Sequence, residues 1–189
     1  KLLHILLCLP FIGFAQSYIN TEFKLKTGAT QYLSFDIPSE CEDVFSGKTL
    51  PPNIPEGTVC MFVCNDNIIL FGEDWDFFSE QNKMLKKEDI VRELNTNKYQ
   101  KIFKQNIEID SNFKLEKVSF EYVNDMPALK AEGVYIAKNK TQVKLKSWEI
   151  HDYSRKISIT TFSVNNNYFS RTIESLMISF FNKAEIPSY

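Results

Sequence analysis

The stretch from Phe113 to Phe162 limits the possible folds of this chain more than any other part of it. Phe113 to Val123 alternates through Leu115, Phe120 and Tyr122, and Asn124-Asp125 then turns the chain. Ala128 to Ala137 leads outward, and Asn139-Lys140 turns it again. Gln142 to His151 sets Val143, Leu145 and Ser147 against Lys144, Lys146 and Trp148. After Asp152-Tyr153-Ser154-Arg155, the run Ile157, Ile159, Thr161 opposes Ser158, Thr160, Phe162. A period of two is the mark of strands, whose successive side chains point to opposite faces. Connections this short cannot carry a parallel crossover, so the four strands are expected to form an antiparallel meander.

The flanking segments supply its partners. Beyond Asn165-Asn166-Asn167, the apolar residues Phe169, Ile173, Leu176, Met177 and Phe180 fall on one helical stripe, which predicts a helix over 169–182. Residues 84–104 also read as helical, with Asn95-Thr96-Asn97 as a break and Glu88 and Asp89 favouring an N-terminal turn. Residues 18–26 and 32–37 read as strands joined at Thr27-Gly28. Val59 to Val63 and Ile68 to Phe71 read as a hairpin across Asn65-Asp66-Asn67. Between them, Ser39 to Gly57 holds Pro51, Pro52 and Pro55 and reads as an irregular excursion. The expected class is therefore α+β, an antiparallel sheet with helices packed on its faces.

The N-terminus carries a Lys, an apolar run from Leu2 to Phe14 and then Ala15-Gln16, the pattern of a secretory signal peptide over residues 1–15. Pro10 and Gly13 disfavour a stable helix interior, and the run is shorter than the ~20 apolar residues of a membrane span. Cys8 follows Leu7 rather than the small residue that lipoprotein processing requires. The remainder, 16–189, is read as one domain with no later transmembrane segment, exported to a periplasmic or extracellular location. With 16 Phe, 8 Tyr and 2 Trp, the chain is too aromatic for disorder. Its net charge of −2 and thinly spread basic residues exclude a nucleic-acid-binding face.

Beyond the leader three cysteines remain, Cys41, Cys60 and Cys64. Cys60 and Cys64 share a strand face with Cα atoms about 13 Å apart, too far for a disulfide. Any bridge must join Cys41 to one of them, and three small buried side chains are the alternative.

Several local features together resemble the PsbP family, named for an extrinsic subunit of photosystem II. They are Leu33-Ser34-Phe35-Asp36-Ile37-Pro38-Ser39, Val123-Asn124-Asp125-Met126-Pro127-Ala128, Ile157-Ser158-Ile159-Thr160, Tyr168-Phe169 and Ile173 to Phe180. Asp125-Met126 stands where that family often has a Gly. The resemblance implies a PsbP-like α/β/α sandwich. It also implies a binding or assembly role, since members of this fold are typically not enzymes.

Chemistry is sparse. His151 is the one histidine beyond the leader, so a His-centred zinc site has no ligand set, and no metal or cofactor is expected. A pair of His151 with Cys41, Cys60 or Cys64 lacks any local signature. No Gly-x-Ser-x-Gly, phosphate loop or His-Glu-x-x-His is present. The sharpest local feature is Glu73-Asp74-Trp75-Asp76, where carboxylates adjoin Trp75, Phe77 and Phe78. Carboxylates in that density offer oxygen ligands for a hard cation or an acid–base pair, but the spacing of a calcium loop is missing and charge runs usually mark solvated loops. Glu73, Asp74, Trp75, Asp76 and Phe78 are the candidate contact residues. The leading expectation is a non-enzymatic binding or accessory protein of the cell envelope with a protein partner. The alternatives are an exported hydrolase using Glu73, Asp74 or Asp76, with His151 as a further group, and a carrier of a small apolar ligand.

Overall fold

The computed structural model describes residues 16–24, 31–45, 57–75, 86–108, 112–136, 140–152, 155–165 and 167–180. Within them the chain forms, in order, β1 (Tyr18–Lys24), β2 (Gln31–Pro38), β3 (Glu42–Asp43), β4 (Thr58–Cys64) and β5 (Asn67–Trp75). Helices α1 (Lys87–Leu94) and α2 (Asn97–Ile107) follow. The second half adds β6 (Phe113–Val123), β7 (Met126–Ile136), β8 (Gln142–Asp152), β9 (Arg155–Ser163), α3 (Ser170–Glu174) and β10 (Met177–Phe180). No described helix is long and apolar enough to cross a membrane.

The antiparallel meander is present as β6 to β9, and its corners show why. A tight two-residue hairpin needs positive φ at both central residues, which Asn and Asp tolerate better than most. Asn124 and Asp125 sit at φ 46° and 64°, so the β6–β7 turn closes without glycine. Asn65, at φ 53°, helps turn β4 into β5. The break between the two helices is also local in origin. The Thr96 side chain accepts a hydrogen bond from the Tyr99 N–H at 3.2 Å, an N-cap that starts α2 afresh.

The strands form a seven-stranded antiparallel sheet in the order β3-β4-β5-β9-β8-β7-β6 and a three-stranded sheet in the order β1-β2-β10. Helices α1 and α2 lie over β6 and β7 on one face of the large sheet. Ile90, Leu94 and Phe103 pack there on Leu129 and Ala131. The opposite face meets the small sheet through Phe35, Ile37, Phe62, Phe71, Trp148, Ile150, Ile157 and Ile159. Phe35 stacks on Phe71 with ring centroids 4.1 Å apart and meets the Phe62 ring edge-on at 5.9 Å. Cys41 and Cys64 form a disulfide, and Cys60 is a buried free thiol.

The architecture is α+β, an antiparallel sheet with helices on its faces. Three details differ from the sequence reading. The helix expected over 169–182 is only the short α3, after which the chain becomes β10 and pairs with β2 from Met177↔Ser34 to Phe180↔Gln31. The unpaired backbone row along β2 is the physical reason: a strand there satisfies edge groups that another helical turn would leave unmet. As a result the second face carries mostly sheet, with α3 as its helix. Third, β5 runs on past Phe71 to Trp75, paired with β9. The turn expected at Thr27-Gly28 and most of the proline-rich excursion lie outside the described residues.

Candidate functional site

The densest buried chemistry lies on β8, where Tyr99 of α2 and Lys156 of β9 both reach Glu149. Trp148 and Ile150 face the small sheet, so alternation along β8 turns Glu149 and His151 to the helix side. Their Nε2···Oε1 separation is 2.9 Å. An ionised carboxylate only accepts, so the imidazole N–H is the donor. Tyr99 of α2 donates its hydroxyl to the same Glu149 oxygen at 2.9 Å, and its ring meets the His151 ring edge-on at 6.0 Å. Lys156 of β9 approaches the other carboxylate oxygen at 3.8 Å. The His151 side chain is 0% exposed and that of Glu149 10%, so solvent screens this cluster little. Burial pushes the Glu149 carboxyl up, but His151, Lys156 and Tyr99 together hold it below the usual carboxylate range.

Register carries one sequence candidate to this place. His151 is the Cα partner of Lys156, and Lys156 is the Cα partner of Asp74. The next row runs Glu149, Ser158, Gly72. A Cβ at Gly72 would collide with the Ser158 hydroxyl, so glycine lets that side chain lie across β5. Glu73 pairs with Ile157 of the apolar face and is buried. Its backbone N–H donates to the Gly57 carbonyl at 3.0 Å. Trp75 ends β5 opposite Arg155. Asp76 and Phe78 lie outside the described residues. The candidates at 73–75 therefore belong to a paired strand rather than a free loop.

Sequence reasoning named His151 but not Glu149, Tyr99 or Lys156. The pattern Glu149-Ile150-His151 was the available signal, because residues two apart in a strand share a face. Tyr99 had no such signal, being a distant residue brought in by helix packing.

Other reactive groups are held apart. Cys60 lies in the apolar core on the opposite side of the sheet from His151. Burial pushes its thiol well above the usual range, with Asp43 adding to the effect. A Cys–His pair is thus not assembled by the described residues. No group of three or more His, Cys, Asp or Glu among them could hold a metal. Among the hollows that the described residues form, two stand out. One, about 140 Å³, lies beside α3 and is lined by Lys130, Lys146, Trp148, Ser163 and Glu174 among others. Lys130 sits 5.6 Å over the Trp148 ring and bridges to Glu132 at 3.2 Å, while burial and neighbouring Lys130 lower the Lys146 pKa. The other, about 250 Å³, runs between α2 and β6.

No family model matches the sequence, and no curated protein does. Solved structures supply the likeness, and they define the class first: an α+β domain built on an antiparallel sheet. Within that class the fold is PsbP-like. Cyanobacterial PsbP from Synechocystis superposes with a TM-score of 0.54 at 9% identity, covering 90% of this chain and 99% of that one. A crystal structure from Bacteroides thetaiotaomicron matches at TM-score 0.46 and 9% identity, covering 84% of this chain and 51% of that one. A Pseudomonas aeruginosa protein of unknown function gives TM-score 0.33 at 12% identity, over 80% of this chain and 86% of that one.

Proposed function

We propose that this chain is an exported accessory or assembly protein of the cell envelope that acts by contact with a protein partner. In this reading residues 1–15 are a secretory signal and 16–189 a single domain. The observation that carries it is the disposition of the reactive side chains. The His151–Glu149 pair is closed under Tyr99, Cys41 and Cys64 are bonded to each other, and Cys60 is buried in the core. An imidazole whose side chain is 0% exposed is badly placed to reach a substrate as a hydrolase base. The PsbP-like fold supports the reading by analogy.

The contact surface in this proposal is the end of β5 together with the residues just beyond it: Asp74, Trp75, Asp76 and Phe78, with Glu73, which is buried, left out of it. A photo-crosslinking residue at position 75, in the chain expressed in its host, tests this. The expected result is a discrete envelope-protein adduct that excess wild-type chain competes away. Absence of any competed adduct, with Trp75→Ala indistinguishable from wild type in envelope pull-downs, overturns the contact role. Export is tested separately by mass spectrometry: the mature chain should begin at Gln16, and an intact N-terminus would refute cleavage.

A further inference from the structure

The geometry points to β6 as a docking edge for a second copy of this chain, the two β6 strands pairing antiparallel about Ser119. β6 is the outermost strand at one end of the seven-stranded sheet, and among the described residues nothing pairs with its outer side. Eleven residues long, it contrasts with the opposite edge, β3, which is only Glu42–Asp43. Short edges are one of the usual protections against strand addition, and a long edge is a template for it. The register of β6 with β7 shifts between Leu115 and Lys117 and is regular from there to Val123. The regular half is therefore the part that can accept a partner strand.

That half is self-complementary. Read antiparallel about Ser119, Lys117 meets Glu121 of the second copy, Val118 meets Phe120, and Ser119 meets itself; symmetry repeats the first two pairs. Direct antiparallel partners share a face, and the β7 register fixes which. Lys117 and Glu121 lie with Glu132 and Ala128, away from the helices. Val118 and Phe120 lie with Ala131 and Leu129, on the helix side. A register centred two residues further along would set Glu121 against Glu121, which like-charge repulsion disfavours.

Two independent features lie along the same edge. Tyr122 is 51% exposed for a large aromatic, on the face of Phe120, whose ring it meets at 5.1 Å. The hollow between α2 and β6 is lined by Lys101, Lys104, Leu115, Glu116, Lys117 and Val118. In the Ser119-centred register, each copy's Tyr122 lies one position beyond the Lys117 pair, beside the bulge that edges that hollow in the other copy. An exposed ring and an open recess on one surface thus adjoin each other twice across a two-fold axis, the form an isologous dimer requires.

Light scattering after size-exclusion chromatography of the full chain, with charge reversals, tests the pairing. Wild type should run at twice the mass of one chain. Lys117→Glu, at an exposed position, should keep the wild-type circular dichroism and weaken dimerisation about tenfold or more. Glu121 also accepts from Trp148 Nε1 at 2.7 Å and lies 3.8 Å from Lys130 within its own chain. Glu121→Lys is therefore read only with circular dichroism that matches wild type; it should then weaken the dimer too. An equimolar mixture of the two variants should recover the dimer mass, as should the double reversal. A wild-type chain that stays monomeric at its highest soluble concentration overturns the inference. So does a dimer indifferent to Lys117→Glu, which would place the contact elsewhere. Failure of the mixture to recover the dimer overturns the register.

Discussion

The two faces of the large sheet are covered by different physics. Toward the small sheet the contact is almost wholly apolar, with Phe35, Phe62 and Phe71 forming an aromatic layer and the Cys41–Cys64 bridge at its margin. Toward the helix pair the apolar patch is small, Ile90, Leu94 and Phe103 on Leu129 and Ala131. Beside it the Tyr99–Glu149–His151 cluster ties α2 to β8. The first face is held by buried area, which is non-directional and insensitive to pH. The second depends on a few directional, charge-assisted bonds, which fail one at a time and titrate. The aromatic contact on the first face thus resists change, while the cluster on the second responds to it.

The sharpest way to break the apolar side is Phe35→Ala. Phe35 is fully buried and contacts three other aromatic rings, so its removal should cost about 4 kcal/mol in urea unfolding. A loss below about 1 kcal/mol would mean that the aromatic layer does not hold this face. Cys64→Ser should come next, at about 3 kcal/mol for a bridge spanning 23 residues. Cys60→Ser, at a cysteine outside the bridge, serves as the comparison.

On the helix side Glu149→Gln should cost about 2 kcal/mol at neutral pH, with a pH signature the apolar variants lack. The folded-state pKa of Glu149 lies below its unfolded value. Its contribution is therefore complete above the usual carboxylate range and is lost as pH falls through the folded value. The gap between wild type and Glu149→Gln should close in acid, while the Phe35→Ala gap stays open relative to it. Tyr99→Phe should have the smallest effect, about 1 kcal/mol. Hydrogen exchange should show it as faster opening of α1 and α2 with the β8 and β9 amides unchanged. Equal acceleration on both sides of the sheet would mean that the two faces are one cooperative unit.

How far each face was legible depends on the range of its interactions. The aromatic layer was legible in part: Leu33-Ser34-Phe35-Asp36-Ile37 alternates visibly, whereas the runs that carry Phe62 and Phe71 alternate poorly and read only as a closely packed hairpin. The polar cluster was half visible: His151 stood out beside its neighbour Asp152, but its partner is Glu149, and Tyr99 is 50 residues from Glu149. The candidates at 73–75 stand out as a local run, yet their place in a paired strand came from β9, which no local pattern announces. The C-terminal stripe misled because Phe169, Ile173, Leu176, Met177 and Phe180 satisfy a helical period while an open strand edge elsewhere rewarded extension.

The sequence by itself determined the α+β class, the antiparallel meander from Phe113, the Asn124-Asp125 corner and the break before α2. Each depends on alternation, backbone conformation or capping within a few residues. Only the tertiary structure decided that Cys41 bonds Cys64, that the chain after α3 becomes β10, and that Asp74, Lys156 and His151 fall in one row. Those outcomes depend on which edges and faces meet across long separations. Local free-energy differences there are small beside the burial and hydrogen bonding that the assembled sheets supply.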